Sequence, residues 1–238
     1  MPTRALHTVL VPPLARSARV FDTLMPHVWA HGAATIADTR RDDSVVGMAA
    51  RLLDDAPERF VLAGIRMGGY IALEVVRQAP GRIRALALIS TSAEPDTPEQ
   101  ASSRRQQLDL ARAGRYDDIV TAAFPALVDP SHRNDAELAA FWLLTAHEVG
   151  PEAFCTQLKA VIDRPGAHPM LSTISCPTAV IHGAGDQLIT LDHGQNTAAR
   201  IPSATLTVVE AAGHMAAQEQ PAAVGNALDA LLNQVAAH

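Results

Sequence analysis

The sequence predicts a doubly wound, mostly parallel α/β sheet with an inserted helical cap, and two observations support that prediction. Short apolar runs alternate with stretches of helical spacing, which is typical of a parallel sheet covered by helices on both faces. The alternation stops over residues 93–171, where only helical patterns occur. We therefore predict a core of residues 1–92 and 172–238 and a cap of residues 93–171, within one compact unit.

The elements before the cap are justified by local pattern. Apolar runs predict strands at 8–11, 33–37, 59–65 and 83–89. A helix is predicted at 18–30, with Pro26 expected to kink or shorten it. Its predicted inward face is Phe21, Leu24, Val28 and Trp29. Ser44 is expected to cap a second helix, and a third covers 67–78. The second helix directs these side chains inward: Val45, Met48, Leu52 and Leu53.

The cap and the elements after it follow the same logic. Helical spacing occurs at 108–113, 116–124, 136–145 and 152–162 within the cap. Strands are predicted at 178–181 and 205–209, with helices after Thr190 and from Pro221. In open α/β sheets, ligands bind outside the carboxyl ends of the strands. The cap is therefore expected to form the roof of the pocket.

Composition excludes several classes of function. Hydrophobic residues make up 48% of the 238 residues, charged residues 18%, and the net charge is −6, which gives no reason to expect nucleic acid or an anionic membrane. No apolar run reaches the ~18–20 residues of a membrane helix. Cys155 and Cys176 have neither metal-ligand nor disulfide spacing and are predicted to be buried packing residues. We expect a cytoplasmic monomer or homodimer with no metal and no cofactor.

Three segments contain residues that can perform chemistry. A strand meets a helix across Gly64-x-x-x-Gly68, with Arg66 at the corner. Asp186 follows a later strand in Ile181-His182-Gly183-Ala184-Gly185-Asp186, and His214 follows the last strand in Ala212-Gly213-His214-Met215. The first segment resembles the nucleophile elbow of the α/β-hydrolase family, and the others resemble its acid and histidine loops in the family's chain order. The resemblance covers nearly the whole chain and lies closest to small, capped, cofactor-free hydrolases of esters and lactones.

The resemblance implies catalytic positions at Arg66, Asp186 and His214. It also implies an oxyanion hole formed by the backbone N–H groups of Leu14 and Met67. The ligand is expected to be a small molecule, either anionic or containing a carbonyl group.

The sequence departs from the family at two places. The serine position holds Arg66, and a guanidinium, with a pKa above about 12, has no lone pair to attack a carbonyl. The loop after the first strand has Pro12 and Pro13 where the family has a glycine-containing pair, so its shape is expected to differ. In this loop Pro13 and Arg16 are candidate substrate-binding residues, and Arg16 either joins Arg66 in the pocket or points to solvent.

Three interpretations of Arg66 stay open. It is a working group that binds an oxyanion or carboxylate while His214, oriented by Asp186, moves a proton in lyase, isomerase or cyclisation chemistry. Alternatively, the chain is a pseudoenzyme that only binds a ligand, or it is an engineered variant of a serine esterase. Other hydroxyl groups near the strand ends are better explained as capping or loop residues: Ser17, Ser90, Thr91 and Ser92. His182 borders the site or is structural.

Overall fold

Six parallel strands form one sheet at the centre of the molecule. A computed structural model describes residues 5–162 and 164–237, so residues 1–4 and 238 of the predicted core and position 163 of the predicted cap lie outside the described residues. The strand order is β2-β1-β3-β4-β5-β6, and each neighbouring pair is parallel. The strands are β1 (Leu6–Val11), β2 (Gly32–Ile36), β3 (Phe60–Ile65), β4 (Ile83–Ile89), β5 (Thr178–Gly183) and β6 (Ala204–Val209). This arrangement confirms the predicted fold class.

Helices connect successive strands, and further helices follow the last strand. Those before β5 are α1 (Met25–Trp29), α2 (Val45–Asp55), α3 (Met67–Gln78), α4 (Pro98–Arg112), α5 (Tyr116–Leu127), α6 (Ala136–His147), α7 (Gly150–Ile162) and α8 (His168–Leu171). Those after it are α9 (Leu191–Arg200), α10 (Ala216–Glu219) and α11 (Pro221–Ala236). Across the described ranges, no helix combines the length and the apolar character needed to span a membrane.

The central strands are buried on both faces, which explains their continuous apolar sequence. On β3, Phe60 and Leu62 pack in one core cluster with residues of α2 and α3, whereas Val61 and Ala63 pack in a second cluster with residues of α11. Ser44 caps α2 as predicted, because its Oγ accepts a hydrogen bond from the backbone N–H of Gly47 at 3.1 Å.

The predicted helix at 18–30 is wrong. The chain forms a short 3₁₀ turn at Ala18–Phe21 and then α1, which begins at Met25 with Pro26 in its first turn. Proline lacks a backbone N–H and is best tolerated in the first turn of a helix, so Pro26 divides the segment into two pieces. Trp29 is 63% exposed instead of facing inward, whereas Phe21, Leu24 and Val28 are buried as predicted.

The connection between β4 and β5 is helical and contributes its own apolar contacts. Its first helix, α4, starts ten residues earlier than predicted, where Thr97 and Gln100 form a reciprocal capping box. Tyr116, Phe154 and Leu158 share a cluster with Ala15, which follows β1. The connection therefore packs against the loop at the carboxyl end of β1. The role of residues 93–171 as a cap over the pocket stays a prediction.

Candidate functional site

Arg66 occupies the sharp corner between β3 and α3. Its backbone has φ 55° and ψ −112°, a region that non-glycine residues rarely adopt and that costs on the order of 1–3 kcal/mol. Its N–H donates to the Ile89 carbonyl at 2.9 Å, and its carbonyl accepts from Thr91 Oγ1 at 2.8 Å. A Cβ at Gly64 would collide with the Gly68 carbonyl, which explains the glycine spacing in the motif.

The side chain of Arg66 points into the interior. Its Nε donates to the backbone carbonyl of His214 at 2.9 Å, and the residue is only 7% exposed. Burial lowers the pKa of Arg66 to about 10, although Asp186 and Glu219 act in the opposite direction. The group therefore remains a cation at neutral pH, as expected from its chemistry.

Asp186 and His214 come together as predicted from their positions after β5 and β6. His214 Nδ1 lies 2.7 Å from Asp186 Oδ2, and Asp186 also accepts from the backbone N–H groups of Leu188 and Ile189 at 3.0 and 2.9 Å. Burial opposes ionisation of Asp186, but its interaction with His214 and its hydrogen bonds outweigh burial and hold its pKa well below the ordinary value. Asp186 is therefore a fixed carboxylate that orients His214.

The imidazole of His214 is buried and neutral at pH 7. Burial lowers its pKa, and the nearby Arg66 cation lowers it further, whereas Asp186 opposes the shift. Because Asp186 accepts from Nδ1, the proton of the neutral ring is assigned to Nδ1 and the lone pair to Nε2. No described residue is hydrogen-bonded to Nε2, so this atom is chemically able to accept a proton.

Two buried residues support the loops that position this pair. His182 Nε2 donates to the Ile189 carbonyl at 2.7 Å and lies 3.5 Å from Asp186 Oδ2, which favours the structural interpretation of His182. Glu219 accepts from the backbone N–H groups of Gly213 and Met215 at 2.9 and 3.1 Å and holds the His214 loop. Sequence reasoning missed Glu219, although it is the single acidic residue within the apolar stretch 211–222.

Arg16 joins Arg66 instead of pointing to solvent. It is 3% exposed, and its guanidinium lies 3.1 Å from the ring centre of Trp142, which is itself 5.8 Å from the guanidinium of Arg66. Arg16 Nη1 donates to the Trp142 carbonyl and to Thr145 Oγ1. Burial and the nearby Arg66 cation lower the pKa of Arg16 to about 8. Trp142 lies 126 residues away in the chain, so no local sequence signal indicated this contact.

The loop after β1 is shaped by a partner from the helical connection. Ala15 has φ 55°, and its N–H donates to the buried Oε1 of Gln157 at 2.7 Å. Leu14 lines the cavity described below, as does Met67. Pro13 is buried and does not line that cavity, and its role as a substrate-binding residue stays a prediction.

A cavity of about 590 Å³ connects these groups. Its charged lining includes Arg16, Arg66, Arg104 and Arg164. Its apolar walls come mainly from α3 and from the connection between β4 and β5, and they include Tyr70, Val120, Trp142 and Val161. Such a size and a mainly apolar wall suit a small organic molecule. Over the described residues, no cluster of three or more His, Cys, Asp or Glu side chains is arranged to hold a metal ion.

None of the other candidate hydroxyl and thiol groups among the described residues is hydrogen-bonded to His214, and Ser90 Oγ is buried without a hydrogen-bond partner. Ser92 lines the cavity, but its Oγ lies 3.3 Å from His193 Nδ1 and accepts from the Glu94 N–H at 2.9 Å. Ser17 does not cap the following turn and instead donates to Glu148. Cys155 and Cys176 are half-buried rather than buried as predicted. Among residues 5–162 and 164–237, no serine, threonine or cysteine is hydrogen-bonded to His214.

Curated relatives of this chain are enzymes that act on esters and lactones. The pimeloyl-[acyl-carrier protein] methyl ester esterase of Aromatoleum aromaticum is 26% identical over 87% of this chain and 84% of that protein. The 3-oxoadipate enol-lactonase 2 of Acinetobacter baylyi is 27% identical over 86% of this chain and 76% of that protein.

Solved structures share the whole architecture. A thermophilic esterase from Thermogutta terrifontis superposes with a TM-score of 0.89 at 24% identity, over 97% of this chain and 90% of that one. The enol-lactonase of Burkholderia xenovorans LB400 superposes with a TM-score of 0.87 at 20% identity, over 97% of this chain and 92% of that one. A family model described as alpha/beta hydrolase fold matches residues 4–221. The chain therefore belongs to the α/β-hydrolase fold family and is related to esterases and enol-lactonases.

Proposed function

We propose that this protein uses an α/β-hydrolase pocket for proton-transfer chemistry without a serine nucleophile. Arg66 stands where the family carries its serine, and neutral His214, oriented by Asp186, is the general base. Arg66 binds a carbonyl or carboxylate oxygen of a small ligand, with the N–H groups of Leu14 and Met67 as further donors. The helical connection of residues 93–171 acts as a cap over this pocket.

The observation that supports this proposal most strongly is the contact between the guanidinium of Arg66 and the residue that carries the base. Arg66 Nε is bound to the carbonyl of His214, and His214 Nδ1 is bound to Asp186. A cation that stabilises a developing oxyanion therefore lies beside a neutral imidazole with a free Nε2. This pairing is suited to removing a proton next to a carbonyl group, which is the chemistry of lyases and isomerases.

The same arrangement argues against a covalent acyl-enzyme. A guanidinium has no nucleophilic lone pair and stays charged near neutral pH. The cavity-lining Ser92 is directed to His193 and not to His214. The names of the curated relatives indicate ester and lactone substrates for those enzymes, and we propose the same ligand class, carbonyl-containing small molecules, for this pocket.

The proposal is tested by comparing the protein with its Arg66→Ser variant on a panel of small activated esters. We expect the serine variant to hydrolyse them and the arginine protein not to, with a difference on the order of 10³-fold or more. A fluorophosphonate probe should label only the serine variant, and Arg66→Ser combined with His214→Ala should lose both properties. Stoichiometric labelling of any serine in the unaltered protein would falsify the claim that no serine nucleophile operates.

A ligand-binding protein without turnover is the second candidate. It is favoured by the burial of the His214 side chain, which is only 5% exposed. Deuterium exchange next to the carbonyl of small keto acids and lactones, followed by NMR, separates the two candidates. A catalyst loses exchange in His214→Ala, whereas a binding protein shows no exchange above the buffer rate in either form and changes only its affinity.

A further inference from the structure

The cavity contains two groups of arginines that differ in how their charge is balanced. The paired arginines are Arg104 and Arg164, which lie 2.6 and 2.7 Å from the two oxygens of Asp96, a carboxylate only 2% exposed. The unpaired arginines are Arg16 and Arg66. Within the part of the chain that the structure describes, neither has a carboxylate at ion-pair distance.

The unpaired arginines share an aromatic contact and repel each other electrostatically. Both lie against the ring of Trp142, and the charge of Arg66 contributes to the low pKa of Arg16. Like charges in a buried environment repel strongly because water cannot screen them. At neutral pH this part of the cavity therefore holds two buried positive charges close together.

The neighbouring carboxylates are already engaged. Asp186 is bound to His214 and to two backbone N–H groups, and Glu219 accepts from backbone N–H groups of the His214 loop. Both favour the charged form of Arg66 at a distance, but neither is a direct partner. The other cavity-lining carboxylates are engaged as well, because Asp96 pairs with the paired arginines and Glu94 lies 2.9 Å from His168, so no carboxylate of the described residues contacts Arg16 or Arg66.

Hydrogen-bond donors remain available on both side chains. Arg66 uses only Nε, and Arg16 uses only Nη1, in hydrogen bonds with described residues. Arg16 Nε is buried without a partner, whereas the terminal nitrogens of Arg66 and Arg16 Nη2 are not enclosed in this way. Three terminal nitrogens are thus left to meet the oxygens of an anion, which guanidinium groups bind in a bidentate manner.

We propose that the unpaired arginines hold a compact dianionic group of the ligand, a phosphate monoester or two neighbouring carboxylates, while the apolar cavity wall packs against the rest of the molecule. A monoanion would leave one of the two buried cations without a partner. This inference rests on the proposed function only in taking the cavity as the ligand site. It assigns Arg16 a direct part in selecting the ligand.

Octyl phosphate and octyl sulfate are matched probes, because they share shape and tail but differ by one charge above pH 7. We expect octyl phosphate to bind about tenfold or more tightly than octyl sulfate in calorimetry at pH 7.5, as one additional charge-assisted hydrogen bond implies. Hexylmalonate compared with octanoate tests the carboxylate version. Preference for only one of the two dianions identifies the head group, whereas equal affinity within both pairs overturns the proposal.

Arg16→Gln should remove the preference for the dianion, and Arg104→Gln, a change at a paired arginine, should retain it. Arg16→Lys keeps the charge and should retain most of the preference, so it covers the case in which Arg16→Gln fails to fold. A folded Arg16→Gln protein that still prefers octyl phosphate would disprove the role of Arg16. Dianion binding without any proton-transfer activity would contradict the proposed function but leave this inference intact.

Discussion

The paired and unpaired arginines line the same cavity, yet they differ in how the desolvation cost of a buried charge is compensated. Asp96 lies between Arg104 and Arg164, and Arg164 also stacks on Tyr70, 3.8 Å from its ring centre. Arg16 and Arg66 have only carbonyl, hydroxyl and aromatic contacts among the described residues. The first group has a carboxylate partner within the protein, although Arg164 Nε is buried without a hydrogen-bond partner, whereas the second group has no carboxylate partner among the described residues.

The two groups differ in their expected contribution to stability. A buried ion pair roughly balances its desolvation cost, whereas a buried charge without a partner reduces stability by several kcal/mol. Natural proteins tolerate such a cost where binding or catalysis requires it. This contrast supports the proposal that the unpaired arginines bind the ligand, whereas the paired arginines stabilise the cavity wall.

The largest expected effect comes from breaking the paired group. Asp96→Asn leaves Arg104 and Arg164 without their shared carboxylate and should lower the free energy of unfolding by about 3–5 kcal/mol, because two cations lose their partner in a buried site. Urea denaturation followed by circular dichroism measures this change. Asp38→Asn, which removes the half-buried carboxylate partner of the exposed Arg40 and Arg41, is the control and should cost less than about 1 kcal/mol. A similar small loss in both variants would remove the distinction between the two groups.

The three positions that we propose as catalytic were predictable from the sequence because each lies in a local motif. Gly64 and Gly68 bracket the corner at Arg66, and Asp186 and His214 follow strands that neighbour each other at one edge of the sheet. In a parallel sheet the carboxyl ends of neighbouring strands lie side by side, so the two loops must meet. The closeness of the two loops therefore follows from the pairing of β5 with β6.

The surroundings of these residues were not predictable, because they depend on contacts between distant segments. Arg16 is buried only since Trp142 and Thr145 of α6 reach the loop after β1, and Ala15 is held by Gln157 of α7. No periodicity or motif encodes the position of a helical connection relative to the sheet. Sequence reasoning therefore left both positions of Arg16 open, and it missed Asp96.

A smaller effect of opposite sign is expected in the unpaired group. Arg66→Met removes a buried cation but keeps an unbranched side chain, so the free energy of unfolding should rise by roughly 1–4 kcal/mol. The loss of the hydrogen bond to the His214 carbonyl reduces this gain. The same urea titration applies, with Arg104→Met as the matched control. That control should lower stability, because it leaves Asp96 with one partner fewer. Equal losses in both variants would mean that Arg66 is as well compensated as Arg104.

The smallest expected effect lies in the titration of His214. Arg66 helps to lower the pKa of His214, so Arg66→Met should raise that pKa, whereas Arg104→Met should leave it unchanged. NMR titration of the imidazole Cε1–H resonance measures the shift without any substrate.

The same pKa shift links His214 to stability. Because the folded pKa is below the ordinary value of 6.5, the unfolded chain takes up the proton first, and stability falls as pH drops through 6.5 towards the folded pKa. This acid-side loss should be smaller in Arg66→Met, since the two pKa values lie closer together. An unchanged or lower pKa of His214 in that variant would show that burial alone keeps the base neutral, and Arg66 would then act on the ligand and not on the base.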